Sequence, residues 1–208
     1  LKVVVCVVDE YVYVSDIFWH FYRKFWPDNP YETVIFAQRN LIRLPTEIVY
    51  VGGDARDFGG RLGRFLRQSF DDSILMLLMM DYVLKSPVKT ELVKAAEDWC
   101  KRPEIGHVRL RPFPHPQRPF RADPKFGEIE RGSRYSLSLQ PGLWETSVLL
   151  GLLRDGEDPW QTEIRGSDRT RYLQKRLLST LDHAYVHHNY YRKGKVAEGL
   201  PKWVKQNW

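Results

Sequence analysis

The chain has 208 residues, 43% of them hydrophobic and 28% charged, which suits one globular domain with a substantial core and excludes a disordered chain. A net charge of +6 favours an anionic partner but does not choose among a nucleotide diphosphate, a nucleic acid and an anionic membrane surface. Cys6 and Cys100 are far apart in apolar surroundings and read as buried thiols in a reducing compartment, not as a disulfide framework.

The first element is the unbroken apolar run 3–8, a strand covered on both faces as in a parallel sheet flanked by helices. Ser15 and Asp16 then cap a helix with Ile17, Phe18, Phe21, Tyr22 and Phe25 on one side, stopped by Pro27 and Pro30. Runs 33–37 and 47–51 are further strands, the second ending at Gly52, Gly53 and Asp54. Residues 56–68 have a helical pattern weakened by Gly59, Gly60 and Gly63. The most apolar strand is 74–80. Ser86 and Pro87 open a helix that keeps helical spacing through Trp99, and 107–110 is a fifth strand.

Residues 111–126 break the alternation. They are proline-rich and basic, and read either as a solvated surface loop or as a binding loop for an anionic ligand. Beyond them the pattern predicts a strand at 135–139 and helices at 144–153, from Pro159, and over 167–181, then an aromatic, basic tail. Strands alternating with helices imply an α/β fold with a mainly parallel sheet. No run is long enough to span a membrane and no leader pattern is visible, so the expected location is the cytoplasm.

In such folds ligands bind at the carboxyl ends of the strands. Those ends carry Asp9 and Glu10, then Asp54, then Asp81. Each alone reads as a turn or cap acid; three in succession point to a polar ligand site. A second concentration is the stretch from Gln140 and Trp144 through Glu157, Asp158 and Glu163 to Ser167, where carboxylates sit beside Trp and Gly-Ser. That set suits holding a hydroxyl and removing its proton, although acids in a first helical turn are also favoured by the helix dipole. His183, His187 and His188 suit a metal on a helix; their neighbours look more like a strand, which spreads them over both faces. There is no Walker-type loop, Cys-x-x-Cys pair or Gly-x-Ser-x-Gly elbow.

The strand ending Met79-Met80-Asp81-Tyr82 and the 140–168 stretch resemble GT-A fold, family 2-like glycosyltransferases of bacterial or phage type. The resemblance implies a Rossmann-like GT-A domain over 1–208, with a nucleotide-sugar-binding half at 1–110 and an acceptor half at 127–208. It implies that Asp9, Glu10, Asp54, Arg61, Asp81, Gln140 and Trp144 bind the nucleotide sugar. The base would come from Asp158, Glu157 or Glu163, and Asp81 would hold Mg²⁺ or Mn²⁺. Met80 stands where relatives place another Asp, and Arg61, Arg64 and Arg67 offer an alternative charge for the diphosphate. The expected activity is sugar transfer from a nucleotide sugar to a hydroxyl, with inversion. Two alternatives compete: glycosylation of hydroxymethylated bases in DNA, or another anionic polymer as acceptor, and a non-catalytic nucleic-acid-binding or degenerate relative.

Overall fold

The computed structural model describes residues 1–7, 9–39, 47–192 and 195–208, with only the backbone described at 9–11 and 192. The first half of the chain contains β1 (Lys2–Val7), α1 (Ser15–Phe25), β2 (Glu32–Ala37), β3 (Glu47–Tyr50), α2 (Phe58–Gln68), β4 (Ile74–Met79), β5 (Tyr82–Leu84) and α3 (Thr90–Cys100). There follow β6 (Ile105–Arg109), β7 (Arg118–Pro119), β8 (Phe126–Ile129), β9 (Gly142–Glu145), α4 (Thr146–Leu152) and α5 (Pro159–Arg169). The chain ends with β10 (Arg176–Thr180), β11 (His187–Asn189), β12 (Tyr191–Arg192), β13 (Lys195–Val196) and α6 (Leu200–Asn207).

Among the described residues the main sheet has nine strands in the order β3-β2-β1-β4-β9-β6-β10-β8-β7. β3, β2, β1 and β4 are mutually parallel, as their apolar runs predict. β9 lies antiparallel to both β4 and β6, so β6 runs the same way as β4, and β10 is parallel to β6. The unalternating strands follow from burial on both faces. In β1, Val3, Val5 and Val7 join one core layer with α1 and α3, while Val4 and Cys6 join a second with α2 and α4. β4 divides likewise, Met76 and Leu78 to the first layer, Leu75 and Leu77 to the second.

The glycines of α2 serve close packing. Gly59 donates its amide to the Glu157 carbonyl at 2.9 Å, and a Cβ there would lie 2.4 Å from the Arg154 carbonyl oxygen. A side chain would therefore push α2 away from the 154–157 turn, so the helix accepts glycine's entropic cost at this position.

Several predicted elements take another form. Residues 135–139 run without a sheet partner, and side chains of α5 satisfy their backbone instead: Ser167 Oγ bridges the Leu137 amide and carbonyl, and Glu163 Oε1 takes the Leu139 amide. Trp144 lies in β9, so the helix predicted at 144 begins only at Thr146, because pairing with β4 and β6 outweighs local helical pattern. The helix predicted over 167–181 ends in a 3₁₀ turn at Thr170–Tyr172 and gives way to β10. α3 starts at Thr90 and not at Ser86, since the Lys85 and Lys89 amides donate to Val186 and Ala184 of the C-terminal segment.

The proline-rich loop is fixed from beneath by Arg109, which is almost fully buried. Its guanidinium donates to the carbonyls of Arg111 (3.0 Å), Tyr135 (3.3 Å) and Pro114. Burial, then the Arg111 charge, brings its pKa down to about 10, so it remains a cation at neutral pH. Arg109→Leu strips three carbonyls of their donor and should cost about 2–4 kcal/mol in denaturant unfolding. The same variant should open residues 111–117 to protease; an unchanged cleavage pattern would show that the loop holds its shape without Arg109.

Candidate active site

Strand direction gathers one edge of the sheet. The carboxyl ends of β1, β2, β3, β4, β6 and β10 and the start of β9 share it, which brings Asp54, Asp81, Arg111, Gln140 and His183 to a common rim. Asp54 lies three strands from Asp81, or about 14 Å along the rim at the usual strand spacing. It is exposed, and its Oδ1 accepts the Arg56 amide at 2.9 Å. The side chains of Asp9 and Glu10 lie outside the described residues, so their approach to this rim is not part of the geometry.

Asp81 lies two residues beyond β4, after Met80. The Tyr190 amide donates to its carbonyl at 2.6 Å, and its carboxyl receives hydrogen bonds from its own amide and that of Tyr191. Burial dominates over those two hydrogen bonds and pushes the carboxyl up to about 6.

Next to it is a polar cluster built by four segments. The Tyr82 ring stacks on His187, centroids 4.4 Å apart, where β5 and β11 pair antiparallel. Gln140 Nε2 is 3.4 Å from the Tyr82 hydroxyl, and Gln140 Oε1 accepts from Arg111 Nη1 at 2.9 Å. Arg111 Nη1 also lies 3.5 Å from His187 Nε2. Burial, followed by the Arg111 charge, lowers the His187 pKa to about 3, so the ring is neutral. Glu163 approaches from α5; its Oε1 accepts the Leu139 amide (2.7 Å) and the Ser138 hydroxyl (3.0 Å), and burial raises its pKa.

The other sequence candidates sit elsewhere. Trp144 is fully buried, stacked on His107 with centroids 3.8 Å apart, so its indole faces the core and not the rim. Arg61 is also buried; its Nε donates to the Val51 carbonyl at 2.9 Å and its guanidinium lies 5.3 Å from the Phe36 ring centroid. It stands beneath the ends of β1 to β3. Glu157 accepts both Arg169 terminal nitrogens at 2.8 and 2.6 Å, a bidentate pair shielded from water. Asp158 caps α5, its Oδ1 taking the Gln161 amide at 2.7 Å in a reciprocal capping box. Arg111 was not singled out by sequence, and Tyr82 only as part of the strand end with Asp81. The signal for Arg111 was its place after the fifth predicted strand, hidden because the loop it opens has no regular pattern.

The resemblance implies a divalent cation, and the described residues do not form its cage. Among them no three His, Cys, Asp or Glu side chains converge, and Met80 rather than an acid adjoins Asp81. Hard cations want several oxygen ligands, and one buried carboxyl with an elevated pKa does not supply them. His187 is engaged with Tyr82 and Arg111 rather than turned toward Asp81.

No protein-family description and no curated protein match the chain. Solved structures do. TarS from S. aureus, residues 1–349, has a TM-score of 0.58 at 15% identity, over 89% of this chain and 59% of that one. The same TarS fragment in complex with UDP-GlcNAc gives 0.58 at 15% identity, over 94% and 60%. A mycobacterial protein gives 0.55 at 13% identity, over 90% and 67%. The chain thus spans less than two thirds of the TarS fragment. At these identities the likeness establishes the fold, which is of the GT-A type expected from sequence.

The Glu157 geometry yields a direct expectation. Removing one partner of a shielded ion pair strands the other charge, so Glu157→Gln should lower stability by about 2–4 kcal/mol. A variant of unchanged stability in urea unfolding would mean that Glu157 has no such structural duty.

Proposed function

We propose that the protein is a nucleotide-sugar-dependent glycosyltransferase acting at the carboxyl edge of its sheet. The observation that carries this reading is the buried carboxyl of Asp81 at the end of β4, next to Gln140, Tyr82 and Glu163, in a fold of the GT-A type. The likeness to a TarS structure in complex with UDP-GlcNAc supports a nucleotide sugar as donor. In this reading Asp54 sits at the base and ribose end of the donor and Asp81 at the sugar-diphosphate end. Arg61 steadies the rim from below, and Gln140 meets the sugar.

Glu163 is the proposed general base. Burial has raised its proton affinity, which moves a carboxylate toward the range useful at neutral pH. The acceptor hydroxyl loses its proton to Glu163 while its oxygen bonds to the anomeric carbon. The bond to the nucleotide diphosphate breaks on the opposite side, giving inversion. Asp158 is the second candidate, the position the sequence resemblance favours, although its carboxylate caps α5. Glu163→Gln keeps the Leu139 hydrogen bond and should reduce turnover by about 10²–10⁴ while UDP still binds. Sugar transfer from UDP-GlcNAc that survives Glu163→Gln but collapses in folded Asp158→Asn would reassign the base.

Asp81 gives a pH signature. Its folded pKa of about 6 exceeds the ordinary aspartate value, so the folded state binds the proton more tightly than the unfolded chain. The carboxyl therefore costs little stability below about pH 4, and the cost grows as pH rises from there to about 6, above which it stays constant. Asp81→Asn should raise unfolding stability above pH 6, by on the order of 2–3 kcal/mol at most, with no gain near pH 4. It should also weaken UDP-GlcNAc binding. Unfolding curves that show the same gain at pH 4 and pH 8 would contradict the buried-carboxyl account.

A further inference from the structure

Arg111, Gln140 and Tyr82 form a chain of hydrogen bonds whose direction their residue types fix. The Leu110 amide donates to the Pro141 carbonyl at 2.9 Å, which sets residues 111 and 140 side by side at the rim. Arg109 Nε and the Ser179 hydroxyl each donate to the Arg111 carbonyl at 3.0 Å, and the Gln140 amide donates to the Ser138 hydroxyl oxygen at 3.2 Å. Both side chains therefore leave anchored backbones. Arg111 Nη1 lies 2.9 Å from Gln140 and 3.5 Å from His187 Nε2, and the His187 ring braces Tyr82 by stacking.

A guanidinium only donates, so the Gln140 atom that faces it is the amide oxygen. That choice turns the Gln140 NH₂ toward Tyr82, 3.4 Å from the hydroxyl oxygen. An amide nitrogen accepts nothing, so the Tyr82 oxygen is the acceptor and its own hydrogen points elsewhere. Among the described residues that hydrogen has no acceptor, and neither has the second hydrogen of Gln140 Nε2. Burial holds the phenol well above its ordinary pKa, so it keeps its hydrogen at neutral pH. The chain thus runs one way, from Arg111 through Gln140 to Tyr82, and ends in two hydrogens that no protein oxygen receives. Tyr82 is buried and Gln140 half-buried, and polar hydrogens in such places are normally paired, which marks the spot for a ligand oxygen.

We infer that the Tyr82 hydroxyl and the Gln140 amide form a donor-only pair that grips an oxygen of the donor's sugar, and that Arg111 is the positioning residue that sets their direction. The inference rests on the glycosyltransferase reading and names what holds the sugar end of that site. Arg111 does so without touching the sugar: its charge is spent on Gln140 and His187, and no carboxylate pairs with it among the described residues. A site whose buried donors must be satisfied discriminates against a ligand that lacks the matching oxygen.

The test is calorimetric titration of the full chain with UDP-GlcNAc and with UDP. Wild-type protein should bind UDP-GlcNAc the more tightly. Tyr82→Phe keeps the ring that stacks on His187 and should weaken UDP-GlcNAc about tenfold while leaving UDP unchanged. Gln140→Glu tests direction. Its carboxylate suits Arg111 at least as well, so urea unfolding should show no loss of stability. It draws the Tyr82 hydrogen inward and offers none of its own, so UDP-GlcNAc should again weaken about tenfold, with UDP as the control for the added charge. A merely structural role for the cluster predicts no loss in so stable a variant. Arg111→Met lets the Gln140 amide turn over and should weaken UDP-GlcNAc likewise; Arg111→Lys, which still only donates, should bind it more tightly than Arg111→Met. If Arg111→Met fails to fold, Gln140→Glu and Tyr82→Phe still decide. An unchanged preference for UDP-GlcNAc over UDP in those two variants overturns the donor pair. Equal weakening of both ligands places the oxygen on the diphosphate and overturns the sugar assignment. Wild-type protein that binds UDP and UDP-GlcNAc equally overturns the inference alone; protein that binds neither removes the donor reading as well.

Discussion

Antiparallel insertion of β9 between β4 and β6 is the constraint on which the site depends. It joins the strands of the first half to those of the second through two ladders of backbone hydrogen bonds. Because Gly142 opposes Leu77 on one side and Arg109 on the other, Gln140 is delivered to the rim beside Tyr82 and Arg111. A slip of one residue would turn Trp144 out of the core and reverse every side chain on the strand. Gly142 permits the insertion, since a Cβ would lie 2.7 Å from His107 Cε1.

The ionisable groups divide into two populations. Scaffold groups have their charges or hydrogen-bonding capacity satisfied: Glu157 by Arg169, Asp158 by the start of α5, Arg109 by three carbonyls. Asp57 belongs with them, accepting the amides of Gly60 and Gly156 and tying α2 to the turn before α5. Asp81 and Glu163 differ. They are buried at the rim with hydrogen bonds but no cation among the described residues, and burial raises both pKa values. Groups whose burial is so poorly compensated contribute little to stability.

Charge is distributed along the rim in the same spirit. Carboxyls lie beyond the ends of β3 and β4, and basic residues follow β5 and β6, Arg111 among them with Gln140 as its partner. The attachment of the proline-rich loop to Arg109 keeps residues 111–114 in place without any regular secondary structure.

Much of the first half was legible in the sequence. Four apolar runs, too continuous for a half-exposed sheet, required parallel strands covered on both faces, and the carboxyl-end rule then pointed to Asp54 and Asp81. The second half was not legible, because its partners are distant in sequence. Residues 135–139 alternate like a strand, yet their hydrogen bonds go to Ser167 and Glu163, about one helix away along α5. The Glu157-Asp158 pair reads equally as chemistry or as a cap until Arg169 and Gln161 are seen to engage it. Local pattern fixes which segments must be buried; which polar groups are spent on holding those segments together, and which remain for a ligand, depends on long-range pairing that a linear chain does not display.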